Sequence, residues 1–342
     1  MKVGRSLIGF ALVAFVGCKD KPSSPSTATG SASVSSTATT TTTTAVANPT
    51  VAGPPKALLR AVREKLKATT IVGDPRKNET MAPPPPPPPE MFDLVKYKAP
   101  VGELYAYVSK PPAGGGKKPC MVWATGGFSN GIDEGHFKPG PKTNDQSAAA
   151  WREAGLVLFL PSFRGGRGNP GRFEELYGEV DDFIAAIQHV RTLPFVDPDR
   201  VYIGGHSTGG TLVLLAAELT DDFRAAIAFG PIHEIGGYGA EIMPFDPTAE
   251  NVRLEIAARS PSLWLTDIRR PTLVIEGAQG NAPAAETIAF RGRTNPLVRV
   301  VVPPGKDHFT VLRPASDVLA KRILEDKGTV ASLPFEATDL GP

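Results

Sequence analysis

From about residue 91 to residue 325, short apolar runs alternate with segments whose apolar residues recur at helical spacing. The first two runs, 91–98 and 103–110, alternate apolar and polar positions, which predicts a hairpin at a sheet edge. The later runs are continuously apolar, as in strands buried on both faces; they cover residues 120–124, 156–160, 201–203, 225–229, 272–275 and 298–302. Helical spacing predicts helices over residues 146–154, 179–191, 251–258 and 311–325. This order predicts an α/β fold, a mostly parallel doubly wound sheet with helices on both faces.

The first 18 residues resemble the signal peptide of a bacterial lipoprotein. Lys2 and Arg5 are positively charged, and the apolar stretch 7–16 is about ten residues long, too short to span a bilayer. Gly17 precedes Cys18, and the resemblance implies that Cys18 becomes the lipidated first residue. We therefore expect an exported lipoprotein of the bacterial cell envelope, periplasmic or associated with the outer membrane, that is anchored by lipid. The alternative is ordinary secretion with an incidental cysteine.

Residues 19–90 are rich in Ser, Thr and Pro, and this composition predicts a disordered linker. Within the linker, residues 56–67 form a possible short helix with Leu59, Val62 and Leu66 on one face. That helix either docks on the main domain or stays in solvent.

An unbroken proline run occupies residues 83–89 and predicts a stiff polyproline II spacer. The main folded domain is expected over residues 91–335, followed by a tail over 336–342. Linker and spacer together would hold that domain clear of a lipid surface.

The charge and cysteine content exclude several classes of protein. The 342 residues carry 37 Lys and Arg against 35 Asp and Glu and contain no basic run, so no nucleic-acid partner is expected. Cys18 and Cys120 are the two cysteines, so a lipidated Cys18 leaves no intrachain disulfide, and Cys120 is interpreted as a small buried residue.

The sequence contains no H-E-x-x-H, paired C-x-x-C or P-loop motif, so neither a metal nor another cofactor is expected. The sequence does not indicate the oligomeric state.

The stretch 200–210, RVYIGGHSTGG, joins a β-branched run, a glycine-flanked turn and a helix-forming run. This is the strand, sharp turn and helix of a nucleophile elbow, which lifts one serine hydroxyl above a sheet edge. Ser207 is therefore the candidate nucleophile. The alternative is a glycine-rich turn without chemistry.

A serine nucleophile needs a base, which in this topology is a histidine that follows the acid in the chain. His308 is the one histidine after the last predicted strand, in the loop PPGKDHF over 303–309, and is the candidate base. The acid is expected after the strand 272–275, where Gly280 stands at the position expected for an aspartate and Glu276 is the favoured carboxylate. The alternatives are Glu234, Asp246, Glu286 and an uncharged Asn281.

An oxyanion hole needs backbone N–H groups aimed at the developing negative oxygen. One is expected from Thr208, the residue after the nucleophile. The other is expected from Gly127 in the loop TGGF over 125–128, with Phe128 as the second choice. A turn that needs positive φ would explain the same glycines without a catalytic role.

Other polar residues near the predicted site have plainer interpretations. His206 is interpreted as structural, with its side chain directed into the sheet. His136 and His233 lie in loops where they could touch a substrate, and Arg164 is expected to pair with nearby acids.

Five short motifs occur together: FRGG at 163–166, GEVDD at 178–182, VDPDRV at 196–201, the elbow at Ser207 and DHF at 307–309. Together they resemble the catalytic domains of prolyl oligopeptidase-like and dienelactone hydrolase-like proteins, which are α/β-hydrolases. The similarity covers about residues 91–330. It implies that Ser207 and His308 take the positions of nucleophile and base.

The sequence therefore predicts a serine hydrolase that cleaves an ester, amide or peptide bond through an acyl-enzyme on Ser207. Such oligopeptidases carry a large propeller before the hydrolase domain, whereas a stalk is expected here, which favours an esterase over a peptidase. The alternative is a non-catalytic, membrane-tethered binding protein on a hydrolase fold.

Overall fold

The computed structural model describes residues 58–71, 82–239, 245–246 and 248–341. The predicted signal peptide, Cys18 and much of the predicted linker lie outside these residues. No helix in the described ranges is both long enough and apolar enough to cross a membrane.

Eight strands form one sheet. In chain order they are β1 Phe92–Ala99, β2 Gly102–Ser109, β3 Lys118–Ala124, β4 Val157–Pro161, β5 Val196–His206, β6 Ala225–Phe229, β7 Thr272–Ile275 and β8 Val298–Val301. Their order across the sheet is β1-β2-β4-β3-β5-β6-β7-β8. β1 and β2 form an antiparallel hairpin, β2 is also antiparallel to β4, and the other pairs are parallel. The predicted edge hairpin and mostly parallel sheet are confirmed.

Seven helices accompany the sheet in the described ranges. They are α1 Leu58–Leu66, α2 Ala149–Glu153, α3 Gly178–Val190, α4 Thr208–Ala217, α5 Val252–Ala257, α6 Ala282–Gly292 and α7 Leu312–Glu325. α3 and α4 pack on one face of the sheet, and α2 and α7 pack on the other.

Strand β3 shows why the central strands are apolar throughout. Cys120 and Val122 belong to the core under α3 and α4, whereas Met121 and Trp123 belong to the core under α2 and α7. Successive side chains of a strand point to opposite faces, so a sheet covered on both faces needs apolar residues at every position. Burying each large side chain contributes about 1.5–3 kcal/mol.

Helix α1 docks on the domain. Its Leu59 and Leu66 are buried, and Asp267 Oδ2 accepts hydrogen bonds from the backbone N–H groups of Leu58 and Leu59 at 2.8 and 3.1 Å. Arg63 forms a 2.7 Å ion pair with Asp181 of α3. Of the two predicted alternatives for this segment, docking is the one that the structure shows.

The proline run differs from the predicted free spacer. Pro84 is buried, and the Tyr107 hydroxyl donates a 2.6 Å hydrogen bond to the carbonyl oxygen of Pro85. Pro83 lies so close to Gly168 that a Cβ there would be 3.1 Å from the proline Cα. The described residues 82–90 therefore belong to the folded domain, and the prediction of a linker over all of 19–90 was too broad.

The C-terminal turn Ala337–Leu340 also contacts the domain, through a 2.6 Å ion pair between Arg322 of α7 and Asp339.

Candidate active site

Ser207 sits in the turn between β5 and α4 with φ of 59° and ψ of −118°. A non-glycine residue at positive φ is strained, and such strain concentrates at functional sites. The Ser207 side chain is partly exposed and makes no capping hydrogen bond to α4. Its backbone is fixed instead, because its N–H donates to the carbonyl oxygen of Phe229 at 2.8 Å.

The glycines around Ser207 are required by close backbone packing. A Cβ on Gly209 would lie 2.0 Å from the carbonyl oxygen of Ala124. A Cβ on Gly205 would lie 2.5 Å from the carbonyl oxygen of Gly209. The strand and helix approach each other closely enough to make the sharp elbow only because these side chains are missing.

His308 and Glu276 form a hydrogen-bonded pair. β7 and β8 are parallel neighbours, so Glu276 at the end of β7 and His308 in the loop after β8 reach the same edge of the sheet. His308 Nδ1 is 3.0 Å from Glu276 Oε2, and the exposed fractions of the two side chains are 23% and 1%. Glu276 Oε1 accepts from the backbone N–H of Gly277 at 2.8 Å. With Nδ1–H donated to the carboxylate, the neutral imidazole carries its lone pair on Nε2.

Two glycines make room for this pair. A Cβ on Gly230, which has φ of +56°, would lie 2.4 Å from His308 Cε1. A Cβ on Gly280 would lie 2.4 Å from Glu276 Oε1 and 2.7 Å from the backbone nitrogen of His308. An aspartate was expected at position 280. Glycine there leaves the space that the Glu276 carboxylate occupies.

The imidazole of His308 lies beside the elbow. Gly230, against which the ring packs, follows Phe229, the residue whose carbonyl accepts from Ser207. Both Ser207 and His308 are in the described part of the chain, and no hydrogen bond joins their side chains. Catalytic hydrogen bonds in resting enzymes are often long and tighten only when substrate binds.

The other candidate acids lie elsewhere. Glu234 forms a 2.8 Å ion pair with Arg291, and Asp246 accepts from the backbone N–H of Thr248 at 2.8 Å. Glu286 is exposed on α6, and Asn281 precedes that helix. Of the residues considered for this position, the structure brings Glu276 to His308.

The predicted oxyanion residues meet beside Ser207. Thr208 Oγ1 donates a 2.7 Å hydrogen bond to the carbonyl oxygen of Gly127, which ties the loop after β3 to the elbow. Gly126 packs on the elbow so closely that a Cβ there would lie 3.3 Å from Ser207 Cβ. Gly127 and Thr208 line a common crevice of about 20 Å³, and the Phe128 ring meets Tyr238 edge-on at 5.3 Å.

A model of the prolyl oligopeptidase family matches residues 142–318, which is more than half of the chain. The chain belongs to the prolyl oligopeptidase family. The match confirms the resemblance found in the sequence motifs, and the matched region contains Ser207, Glu276 and His308.

Two of the curated relatives of this family member are much longer proteins. Prolyl oligopeptidase A of Galerina marginata is 32% identical over 129 residues, which cover 35% of this chain and 16% of the relative. The probable chloroplastic glutamyl endopeptidase of Arabidopsis thaliana is 26% identical over 232 residues, which cover 60% of this chain and 23% of the relative. The chain thus spans less than a quarter of the length of either.

Solved structures show the same fold for this family member. The acylaminoacyl peptidase of Pyrococcus horikoshii has a TM-score of 0.55 at 19% identity, over 74% of this chain and 44% of that one. The esterase of Pyrobaculum calidifontis has a TM-score of 0.51 at 18% identity, over 78% of this chain and 93% of that one. The α/β-hydrolase fold predicted from the motifs is confirmed.

Asn130 ties the loop after β3, which contains the predicted oxyanion residues, to the loop after β4. Its carbonyl oxygen accepts from Phe163 N and Ser162 Oγ, both at 2.8 Å. Its side-chain amide donates to the carbonyl oxygen of Arg164 at 3.0 Å and to Glu179 Oε1 at 2.9 Å. Sequence reasoning missed this residue, because its four partners come from two other segments.

Glu179 completes this support, and it has an unusual environment. It is 2% exposed, and among the described residues no partner bonds its Oε2. Burial raises the pKa of Glu179 to about 7, although the hydrogen bonds to its carboxylate lower the pKa in part. Arg164 beside it pairs with Asp182 and Glu174, as expected from the sequence.

The remaining loop histidines have structural contacts. His136 is buried, and its Nε2 lies 3.0 Å from Thr125 Oγ1, at the start of the oxyanion loop. Burial lowers the pKa of His136. The carbonyl oxygen of His233 accepts from the backbone N–H of Ser262. His206 contacts the loop of His308 rather than only the sheet interior, a contact that the sequence interpretation missed.

Proposed function

We propose that this member of the prolyl oligopeptidase family is a serine hydrolase that cleaves an ester, amide or peptide bond through an acyl-enzyme on Ser207. The observation that carries the proposal is the 3.0 Å hydrogen bond between His308 and a buried Glu276, beside a serine held in a strained turn. Family membership and the peptidases and esterase among its structural relatives support the same reaction class.

In the proposed mechanism, the Ser207 hydroxyl attacks the carbonyl carbon while His308 Nε2 takes its proton. Glu276 holds the imidazole in the required tautomer and stabilises the imidazolium that forms. The backbone N–H groups of Gly127 and Thr208 bind the oxyanion, a contribution of about 3–4 kcal/mol for each donor in such sites. His308 then protonates the leaving group, and water releases the acyl group by the same steps.

The acyl group is proposed to lie against Phe128 and Tyr238. These aromatic rings meet beside the oxyanion loop, and the exposed ring of Phe309 flanks His308 at 5.0 Å. This surface favours a substrate with an apolar group at the carbonyl. The earlier alternative, a non-catalytic binding protein, depended on the missing aspartate at position 280, and Glu276 now supplies a carboxylate.

The test combines active-site labelling with turnover on the full chain. A fluorophosphonate probe should label the wild type at Ser207, and a panel of acyl esters and aminoacyl anilides should identify the bond that is cleaved. Ser207→Ala should lose labelling and lower kcat by at least about 10⁴-fold. Ser332→Ala, a change at an exposed serine, is the matched control. A wild-type chain that neither reacts with the probe nor turns over any substrate of the panel would refute the proposal.

We also propose that the chain is exported and tethered to a membrane of the cell envelope through lipid on Cys18. A positive n-region, a short apolar stretch and Gly17 before Cys18 support this. Cells that express the chain should incorporate labelled fatty acid into the wild type and not into Cys18→Ala. Equal incorporation, or none in either, would contradict the proposal.

A further inference from the structure

His206 lies directly before Ser207, the proposed nucleophile. It is the last residue of β5, and 1% of its surface is exposed. Both ring nitrogens lie near oxygen atoms: Nε2 is 2.9 Å from the carbonyl oxygen of His308, and Nδ1 is 3.0 Å from Oε1 of Gln146. The centroids of the His206 and His308 rings are 4.5 Å apart.

The protonation state of His206 follows from these partners. A carbonyl oxygen only accepts hydrogen bonds, so the contact to His308 is a hydrogen bond when the proton of the ring is on Nε2. Burial, followed by the nearby His308, lowers the pKa of His206 to about 3, which leaves the ring neutral. The NH₂ group of Gln146 donates to Asn144 Oδ1 at 2.6 Å, and turning that group toward Nδ1 would satisfy the lone pair that this tautomer leaves there. His206 is thus a neutral ring that donates from one nitrogen, and Nε2 is the nitrogen that faces His308.

The bond from His206 reaches the main chain of the proposed base. His206 is covalently joined to Ser207. A single hydrogen bond therefore links the neighbour of the proposed nucleophile to His308, the residue proposed to accept the proton of Ser207. The two are 102 positions apart in the chain. On the other side, the His308 ring is fixed by Glu276.

We propose that His206 is a positioning residue for the reaction proposed above: its Nε2–H holds the backbone of His308 so that the imidazole stays beside Ser207. The inference depends on the proposed function. Being neutral, His206 adds no positive charge next to the imidazolium that forms on His308. A displacement of about 1 Å between reacting groups can cost about 10²-fold in rate, so one well-placed donor has a measurable effect.

Two substitutions separate the donor from the ring. His206→Phe keeps an aromatic ring of similar size but has no donor, and should lower kcat by about 30-fold with KM within about twofold of the wild type. His206→Gln keeps an N–H within reach of the His308 carbonyl and should recover most of that loss. His189→Phe is the matched control, because this partly buried histidine on α3 contacts Tyr97 and Phe159 and not the site; its kcat should be unchanged.

A third substitution loosens the ring of His206 without removing the histidine. Gln146→Met deletes the hydrogen-bonding neighbour of Nδ1, so that the ring is held from the His308 side only, and should lower kcat by about fivefold at unchanged KM. It also carries the test if His206→Phe does not fold. The inference is wrong if His206→Phe and Gln146→Met keep the wild-type kcat, if His206→Gln is as slow as His206→Phe, or if KM alone changes. If the wild type is inactive and unlabelled, the proposed function fails instead, so the two failures are distinct.

Discussion

Two buried glutamates support the candidate site, with exposed fractions of 1% for Glu276 beside His308 and 2% for Glu179 beside Asn130. Glu276 uses both oxygens, one on His308 and one on the backbone N–H of Gly277. Glu179 uses Oε1 twice, on Asn130 and on the backbone N–H of Glu174. Its Oε2 has no partner among the described residues.

The difference shows that burial alone does not determine how a carboxyl group behaves. Burial penalises the charged form, and hydrogen bonds or an opposite charge offset that penalty. At Glu179 the penalty dominates and raises the pKa to about 7. At Glu276 a histidine is in contact and becomes a cation in the proposed reaction. The proposed base thus has a carboxylate held against it, whereas the loop of the proposed oxyanion donors is supported by an acid whose pKa is raised to about 7.

The largest expected effect comes from removing the charge on the base side. Glu276→Gln places either an amide N–H or a poorer acceptor opposite His308 Nδ1, which favours the tautomer with its proton on Nε2. The base then lacks its lone pair, and kcat should fall by about 10³- to 10⁴-fold. Steady-state turnover of the substrate found by the panel checks this.

The matched control for this change is Glu234→Gln. Glu234 is paired with Arg291 rather than with His308, so its kcat should stay within about threefold of the wild type, as for other surface ion pairs. If Glu276→Gln retains more than a tenth of the activity, the acid lies elsewhere and the contrast between the two glutamates loses its catalytic meaning.

A smaller effect is expected from crowding the imidazole without changing its chemistry. Gly230→Ala puts a Cβ 2.4 Å from His308 Cε1 at φ of +56°. Gly305→Ala, at φ of +67° in the loop of His308, meets no atom within 4 Å. Both changes cost about 1–2 kcal/mol of backbone strain, but only the first displaces the ring.

We therefore expect kcat to fall by about 30- to 100-fold in Gly230→Ala and by less than twofold in Gly305→Ala, at similar losses in Tm. Thermal unfolding and turnover of the same samples measure both quantities. Equal losses of kcat in the two variants would show that strain, and not the position of His308, determines the rate.

The sequence was informative wherever the signal was local. Continuous apolar runs identified the buried strands, and the spacing of glycines around Ser207 identified the elbow. His308 could be identified as the candidate base from the sequence, because it follows the last predicted strand in a Gly/Pro loop. Glu276 remained one of several acids, because its approach to His308 depends on β7 and β8 being neighbours, which the sequence does not state.

The contacts that sequence reasoning missed are non-local. His206 reaches a carbonyl 102 positions away, and Asn130 joins residues of three segments. The proline run has the composition of a free spacer, and only the Tyr107 hydroxyl and the close approach of Gly168 show that it is packed. The composition of a segment indicates the conformation that it adopts in isolation. It does not indicate whether another part of the fold offers a surface on which the segment packs.

The last expected effect concerns stability, and not rate, on the side of the proposed oxyanion donors. The pKa of Glu179 is about 7 in the folded protein and close to 4.3 in an unfolded chain. The folded state therefore binds more protons between these values, so the stability contributed by Glu179 is present below about pH 4 and is lost as the pH rises through 7.

The variant Glu179→Gln tests this, because its side chain keeps an oxygen for Asn130 but cannot ionise. Relative to the wild type, its free energy of unfolding should increase by about 2–3 kcal/mol between pH 5 and pH 8. Urea unfolding at a series of pH values measures this, with the exposed Glu286→Gln as control. A difference between Glu179→Gln and the wild type that does not change with pH would mean that Glu179 does not titrate in this range, which would contradict its raised pKa.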